Sequence, residues 1–172
     1  FLEVIINKSF NCLNSILTPN HSIPLFNGGL EENLEELGKF ENKLDYKGKF
    51  DKNLIGVIQI LKKKNNLVFF DVGQPPNKQF SSKYQSGPLS FEYYLDGKKI
   101  ITNCGFGSNI SPKAELFSRL TSAQSTVTLE DTSVTKFERN KMINKIFGNS
   151  IKNSFKISET NFIDDKNHMK SI

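Results

Sequence analysis

The first seventeen residues, FLEVIINKSFNCLNSIL, place Leu2, Ile5, Ile6, Phe10, Leu13, Ile16 and Leu17 three and four positions apart. That spacing lines one face of a helix, and Thr18-Pro19 predicts its end, because proline cannot continue the hydrogen-bond ladder. Residues 22–26 form a short apolar run closed by Asn27-Gly28-Gly29, which predicts a strand and a turn. Leu30, Leu34, Leu37, Phe40 and Leu44 then return to helical spacing and predict a second short helix, with Gly38 as its weak point. Two apolar runs, 54–61 and 67–72, flank Lys62-Lys63-Lys64-Asn65-Asn66 and predict a hairpin whose lysines form a solvated tip.

The strongest pattern runs over 83–105, KYQSGPLSFEYYLDGKKIITNCG. Residues 89–95 are rich in aromatics, Asp96-Gly97 tolerates positive φ, and 98–103 is a β-branched return strand, so a hairpin is predicted. Tyr84, Tyr93 and Tyr94 fall there; aromatics alternating along a strand fit a core or cross-strand pairs better than a sugar platform. Further on, 114–120 accommodates a helical turn. Residues 125–129 alternate as a strand, Glu130-Asp131 turns, and 133–137 is expected to pair back. Residues 151–160 alternate once more around Phe155 and Ile157, and 164–172 are polar and unpatterned. Short strands separated by turn signals predict a mainly β chain, an antiparallel β-sandwich with an N-terminal helix and a further short helix.

Composition adds limits. Hydrophobic residues make up 37% of the 172, enough for one domain's core, with 15 Phe and no Trp supplying the bulk. The net charge of +5 raises the question of nucleic acid, but of 23 basic residues only Arg119 and Arg139 are arginines. Base readers rely on arginine forks, so no nucleic-acid partner is predicted. No apolar run reaches membrane-spanning length, and the polar face of the first helix carries Asn and Ser rather than cations. Packing against protein, with no membrane partner, is therefore expected. Cys12 and Cys104 fit no metal spacing, and their apolar contexts predict buried free thiols. The first residue is Phe rather than Met, as in a piece of a longer protein.

Several short stretches resemble the C-terminal β-sandwich of the heparinase II/III family of polysaccharide lyases. They are Phe26-Asn27-Gly28; GVIQILKKKNNLVFFDVGQPP over 56–76, similar to a hairpin ending in D-x-G-x-P-P; L-S-F-E, the D-G turn and N-C-G in the central stretch; and RLTSAQSTVTLEDT over 119–132. The resemblance implies residues 1–18 as the last helix of a preceding α-helical toroid domain, and 19–172 as the sandwich, open at its C-terminal end. It implies β-elimination of uronic-acid polysaccharide in a cleft between toroid and sandwich. The expected partners are then an acidic polysaccharide, such as a glycosaminoglycan, and the toroid of the same parent chain. The implied setting is bacterial, periplasmic or extracellular.

The family's functional residues do not carry over intact. Its H-A-H run falls on Lys83-Tyr84-Gln85, so Lys83 stands at the catalytic histidine position. Gln85, Asn103 and Gln124 stand where metal-holding members have a histidine, an acidic residue and another histidine. Amides are poor ligands for divalent zinc, so no metal and no other cofactor is expected. Two roles are open to the three amides: hydrogen-bonding one another or nearby backbone, or contacting sugar hydroxyls as substrate-binding residues. Lys83 is read as an exposed loop lysine or as a residue that meets a uronate carboxylate. A lysine serves as a base only if burial lowers its pKa by about 3 units. His21 and His168 lie outside every matched stretch and read as surface residues.

Overall fold

Helix α1 (Leu2–Ile16) forms where the apolar spacing predicts it, and the chain leaves it before Pro19. In the computed structural model, which describes residues 2–34, 36, 38–39, 43, 54–158, 162–163 and 170–171, α1 buries none of its residues completely. Leu2, Val4, Ile5 and Ile6 are exposed, while Ile16 packs against the sheet. Of the helix predicted over 30–44, residues 30–34 are not helical, whereas Glu36, Gly38, Lys39 and Lys43 are; the other positions of that span, and the tail from 164 with His168 apart from residues 170–171, lie outside the described residues.

Five antiparallel strands follow as a meander in sequence order: β1 (Leu54–Ile55), β2 (Ile58–Lys63), β3 (Asn66–Asp71), β4 (Phe91–Leu95) and β5 (Lys98–Ile101). The predicted 54–61 strand is cut by a turn at Gly56-Val57, which makes β1 and β2 a small hairpin of their own. The lysine tip turns at Lys64-Asn65 with every residue from 62 to 66 exposed. Asp96 and Gly97 join β4 to β5 at φ 50° and 76°. That pair of left-handed residues matches strand twist in a two-residue hairpin. Between Tyr93 and Tyr94 the β4–β5 register slips in a bulge.

Opposed residues on neighbouring strands share a face, so Ile60, Phe69 and Tyr94 come together and form the apolar centre. Phe69 and Tyr94 meet edge to face at 6.0 Å, and Ile16, Phe26 and Leu67 close over them. Two shorter pairs, β6 (Lys136–Phe137) with β7 (Ile151–Asn153) and β8 (Phe162–Ile163) with β9 (Lys170–Ser171), are also antiparallel. Helix α2 (Pro112–Ser118) starts on the Ser111 hydroxyl, which accepts the Ala114 N–H at 3.0 Å. Helix α3 (Lys141–Phe147) starts on the Asn140 side chain and stops at Gly148, φ 65°. The architecture is mainly β and antiparallel, of the sandwich class, with short helices, α2 and α3 among them, in addition to α1.

Several local expectations are corrected. Residue 89 is not in a strand: Leu89 adopts φ 56° in a turn closed by Ser90 N–H on the Gly87 carbonyl at 3.0 Å, and β4 begins at Phe91. Residues 125–129 do not form a strand paired with 133–137. A lone bridge joins Leu129 to Thr132, and Phe137 pairs with Ile151 instead. The reason lies at Ser125, whose backbone and hydroxyl are committed to Phe91 and Asn103. The strand expected over 151–160 ends at Asn153. Cys104 is exposed and Cys12 half-buried, so the thiols are free but not buried.

Residues 22–26 are not a strand either. Phe26-Asn27-Gly28 is a tight turn closed by Gly29 N–H on the Phe26 carbonyl at 2.9 Å. It is docked on β3 by the Asn27 amide, which donates to Asp71 Oδ2 at 2.8 Å. Asp71 Oδ1 accepts from Gly73 N–H at 3.0 Å. Burial pushes the Asp71 carboxyl above its usual 3.8, opposed by the Gly73 and Asn27 donors. A raised folded pKa means that Asp71 takes up a proton on folding between pH 3.8 and that raised value. Its contribution is therefore full below 3.8 and lost as pH rises through the folded pKa. Asp71→Asn should flatten the dependence of the urea midpoint on pH across that window; a slope identical to the wild type refutes the assignment.

Candidate functional site

Three loops meet at the end of the sheet opposite the lysine tip: 81–90 between β3 and β4, 102–107 after β5, and 118–125 after α2. They bring Gln85, Asn103 and Gln124 into one buried polar region, at 2%, 1% and 9% exposure. The organising group is the carbonyl of Ser118, the last residue of α2. A helix ends with carbonyls that have no intrahelical donor, so this oxygen needs partners from elsewhere. Gln85 Nε2 donates to it at 2.8 Å and Gln124 Nε2 at 2.7 Å. Cys104 Sγ lies 3.6 Å from the same oxygen.

Gln85 ties further segments together. Its Nε2 also donates to the Gly105 carbonyl at 2.8 Å, and its Oε1 accepts from Gly28 N–H at 3.0 Å. Gly28 holds φ 91°, and a Cβ there would come 2.9 Å from Lys83 Cβ, so only glycine lets this turn approach. Asn103 belongs to the same region through a different link. Its Oδ1 accepts from the backbone N–H and the hydroxyl of Ser125, both at 3.0 Å, while its Nδ2 is buried without a partner. Its backbone N–H reaches the carboxylate of Glu92 at 3.3 Å. Glu92, wholly buried, also accepts from Thr102 Oγ1 at 2.7 Å and Tyr94 Oη at 3.0 Å. Burial, with Glu92 beside it, drives the Tyr94 phenol far above its ordinary pKa.

Arg119 anchors the loop over 81–86, which carries Lys83 and Gln85. Fully buried, it donates from Nε to the Tyr84 carbonyl and from Nη2 to the Ser81 carbonyl, each at 2.8 Å. Its guanidinium lies over the Phe137 ring at 3.9 Å, and its own carbonyl accepts from Ser86 N–H at 2.9 Å. Burial lowers the guanidinium to about 10. Ser86 Oγ pairs with Thr121 Oγ1 at 2.8 Å and accepts from Thr135 N–H at 2.9 Å, so the hydroxyls carry the network to β6.

The sequence reading thus names three residues that the fold unites, and one that stays apart. Lys83 is exposed at the rim, beside Gly28. Tyr84 and Tyr94 are buried, and His21 is exposed with φ 53°. Glu92 and Arg119 were missed as candidates although both stand in quoted stretches, L-S-F-E and R-L-T-S-A-Q-S-T. A charged residue inside an apolar or hydroxyl-rich run was the available signal. The amides do not make a fitting metal centre. The Gln85 and Gln124 nitrogens face a carbonyl as donors, and the Gln85 oxygen is taken by an N–H. Among the described residues, no three His, Cys, Asp or Glu side chains gather.

Gln85 satisfies one backbone N–H and two carbonyls, whereas Gln124 satisfies one carbonyl that Gln85 also serves. Gln85→Leu should therefore cost about 1–3 kcal/mol in urea unfolding and Gln124→Leu distinctly less, because fewer buried groups lose their partner. The reverse order would overturn this account of the cluster.

The heparinase II/III-like, C-terminal family matches residues 51–168. No curated protein sequence matches the chain. Among solved structures, the heparan sulfate lyase HepC of Pedobacter heparinus aligns over 74% of this chain and 25% of its own, at 16% identity and TM-score 0.52. A heparinase III structure aligns over 76% of this chain and 24% of its own, at 15% identity and TM-score 0.57. At that identity the likeness is one of fold, and the chain spans about a quarter of the length of these structures. With the family matching most of its length and the polar cluster built from the stretches that resemble it, the chain belongs to the heparinase II/III-like C-terminal family.

Proposed function

We propose that this chain is the C-terminal sandwich part of a polysaccharide lyase that acts by β-elimination on uronic-acid-containing polysaccharide. The observation that carries the reading is convergence. Phe26-Asn27-Gly28, Asp71, Gln85, Asn103, Arg119 and Gln124 come from separate family-like stretches and meet in one hydrogen-bonded region. Elimination needs a base at the proton α to the carboxylate, a group that neutralises the carboxylate, and a proton donor for the leaving oxygen. The sandwich contributes a wall of that cleft; a toroid domain of the same parent protein contributes the remaining groups. The burial of Gln85, Asn103 and Gln124 supports a role in holding the wall's loops in place. Lys83 is proposed to meet a uronate carboxylate, a role that its exposure beside Gly28 supports.

A second reading, a non-catalytic sandwich that binds an acidic glycan, is favoured by one observation: lysine and amides stand where family members have histidines and an acid. Turnover decides between the two. The parent protein with its toroid is expected to release unsaturated product from heparan-type or alginate-type polymer, followed by absorbance, and the isolated chain to release none. Turnover by the isolated chain that disappears in Lys83→Ala would refute the division of labour proposed here. Binding without turnover by the parent would establish the second reading.

The cluster is also proposed to work without metal, its amides doing by hydrogen bonds what ligands do elsewhere in the family. Metal analysis of the dialysed protein should find no stoichiometric zinc. Zinc that survives dialysis and is lost in Gln124→Ala would contradict it.

A further inference from the structure

The lysine tip is not an isolated turn. Asp96 N–H donates to the Asn65 carbonyl at 3.0 Å, and the Asn65 amide donates to the Asp96 carboxylate, so the β2–β3 and β4–β5 turns are fastened side by side. This brings Lys62, Lys63 and Lys64 to the same sheet end as Lys98, more than thirty residues later in the chain. All four are exposed, and none forms an ion pair among the described residues. The acids nearby are already engaged: Asp96 by Asn65, and Glu31 by Lys99 at 2.8 Å.

Register gives this charge a shape. Lys63, Asn66, Leu95 and Lys98 lie opposite one another across β2, β3, β4 and β5, on the face away from Ile60, Phe69 and Tyr94. With strands ~4.8 Å apart, the two lysines stand at the ends of a row ~14 Å long. On the same face, one row further in, is Tyr93, half-buried, its hydroxyl donating to Asn66 Oδ1 at 2.6 Å. A fixed aromatic ring between two ammonium groups and beside an amide suits a sugar ring flanked by acidic substituents. Ammonium groups meet carboxylate or sulfate, and the ring meets the apolar sugar face. Along β5 the lysine row lies five residues, at most ~17 Å of extended chain, from Asn103 in the polar cluster.

We propose that this end of the sheet is a second contact for acidic polysaccharide, which grips the polymer away from the cleft wall; the choice of ligand rests on the lyase reading above. Its test is binding of a size-defined heparin-type oligosaccharide to the full chain, with a DNA oligomer of matched charge in parallel. The double variant Lys63→Gln, Lys98→Gln should weaken oligosaccharide binding about tenfold and lower its salt dependence, as fewer counterions are displaced. Lys113→Gln, which changes a lysine over Phe117, should leave it unchanged. The DNA oligomer should bind more weakly than the oligosaccharide. Unchanged affinity in the double variant, equal affinity for DNA, or no wild-type binding would each overturn the proposal. None of these outcomes touches turnover by the parent protein, which tests the lyase reading separately.

Discussion

The orphan carbonyl at the end of α2 is the constraint on which the rest of this structure depends. A helix leaves its last oxygens without donors, and a seven-residue helix has no long apolar face to fix it by packing. Two side-chain amides from different loops answer the Ser118 oxygen. In doing so they set where α2 sits relative to the ends of β3, β4 and β5. Gln85 then passes the constraint on to Gly105 and Gly28, residues separated from it by 20 and 57 positions. The loops around the candidate site are thus placed by polar bonds from a few side chains, while the apolar centre at Phe69 and Tyr94 holds the sheet alone.

This division changes what substitution does. In the apolar centre, neighbours partly refill lost volume. In the loop cluster, the loss of a donor strands a buried partner, and no rearrangement of methyl groups can replace a hydrogen bond. Arg119 is the extreme case. It keeps a cation inside the protein with carbonyls and an aromatic face around it, and its depressed pKa reflects that burial. Its bonds to the Ser81 and Tyr84 carbonyls hold the path of that loop without using the exposed Lys83 side chain, while the buried Gln85 and Ser86 side chains carry the cluster itself.

Much of the sheet was legible from spacing and turn chemistry. Asp96-Gly97 forces a two-residue hairpin, and the polar run at 62–66 separates two apolar strands, so β2 to β5 follow from local rules. The limits of α1 follow from its period and from Pro19. Legibility failed where a polar side chain, rather than a strand partner, takes up the backbone. Residues 125–129 alternate like a strand, but Ser125 docks on Phe91 and Asn103, and no ladder forms. Residues 22–26 look extended, but Asn27 and Gly28 are captured by Asp71 and Gln85. Alternation records which side chains face inward; it does not record which segment supplies the hydrogen bonds. Helix α3 had readable ends in Asn140 and Gly148, too close together to stand out by periodicity. The three amides of the candidate site were located through resemblance, since nothing in their local spacing sets Gln85, Asn103 and Gln124 apart from other polar loop residues.

The bulge between Tyr93 and Tyr94 has a consequence for the sheet as a whole. An open meander has two borders, and each is a template for a foreign strand. At one border, β1 covers only Ile58 and Gln59 of β2, and the edge of β2 beyond it ends in the exposed Lys62 and Lys63. At the other, β5 is thrown out of regular register by the bulge, and its first two residues are Lys98 and Lys99. A strand approaching there meets an irregular ladder and buried or repelled ammonium groups. The chain can therefore carry exposed Ile100 and Ile101 on its outermost strand without offering a continuous edge along which copies could zip into fibrils.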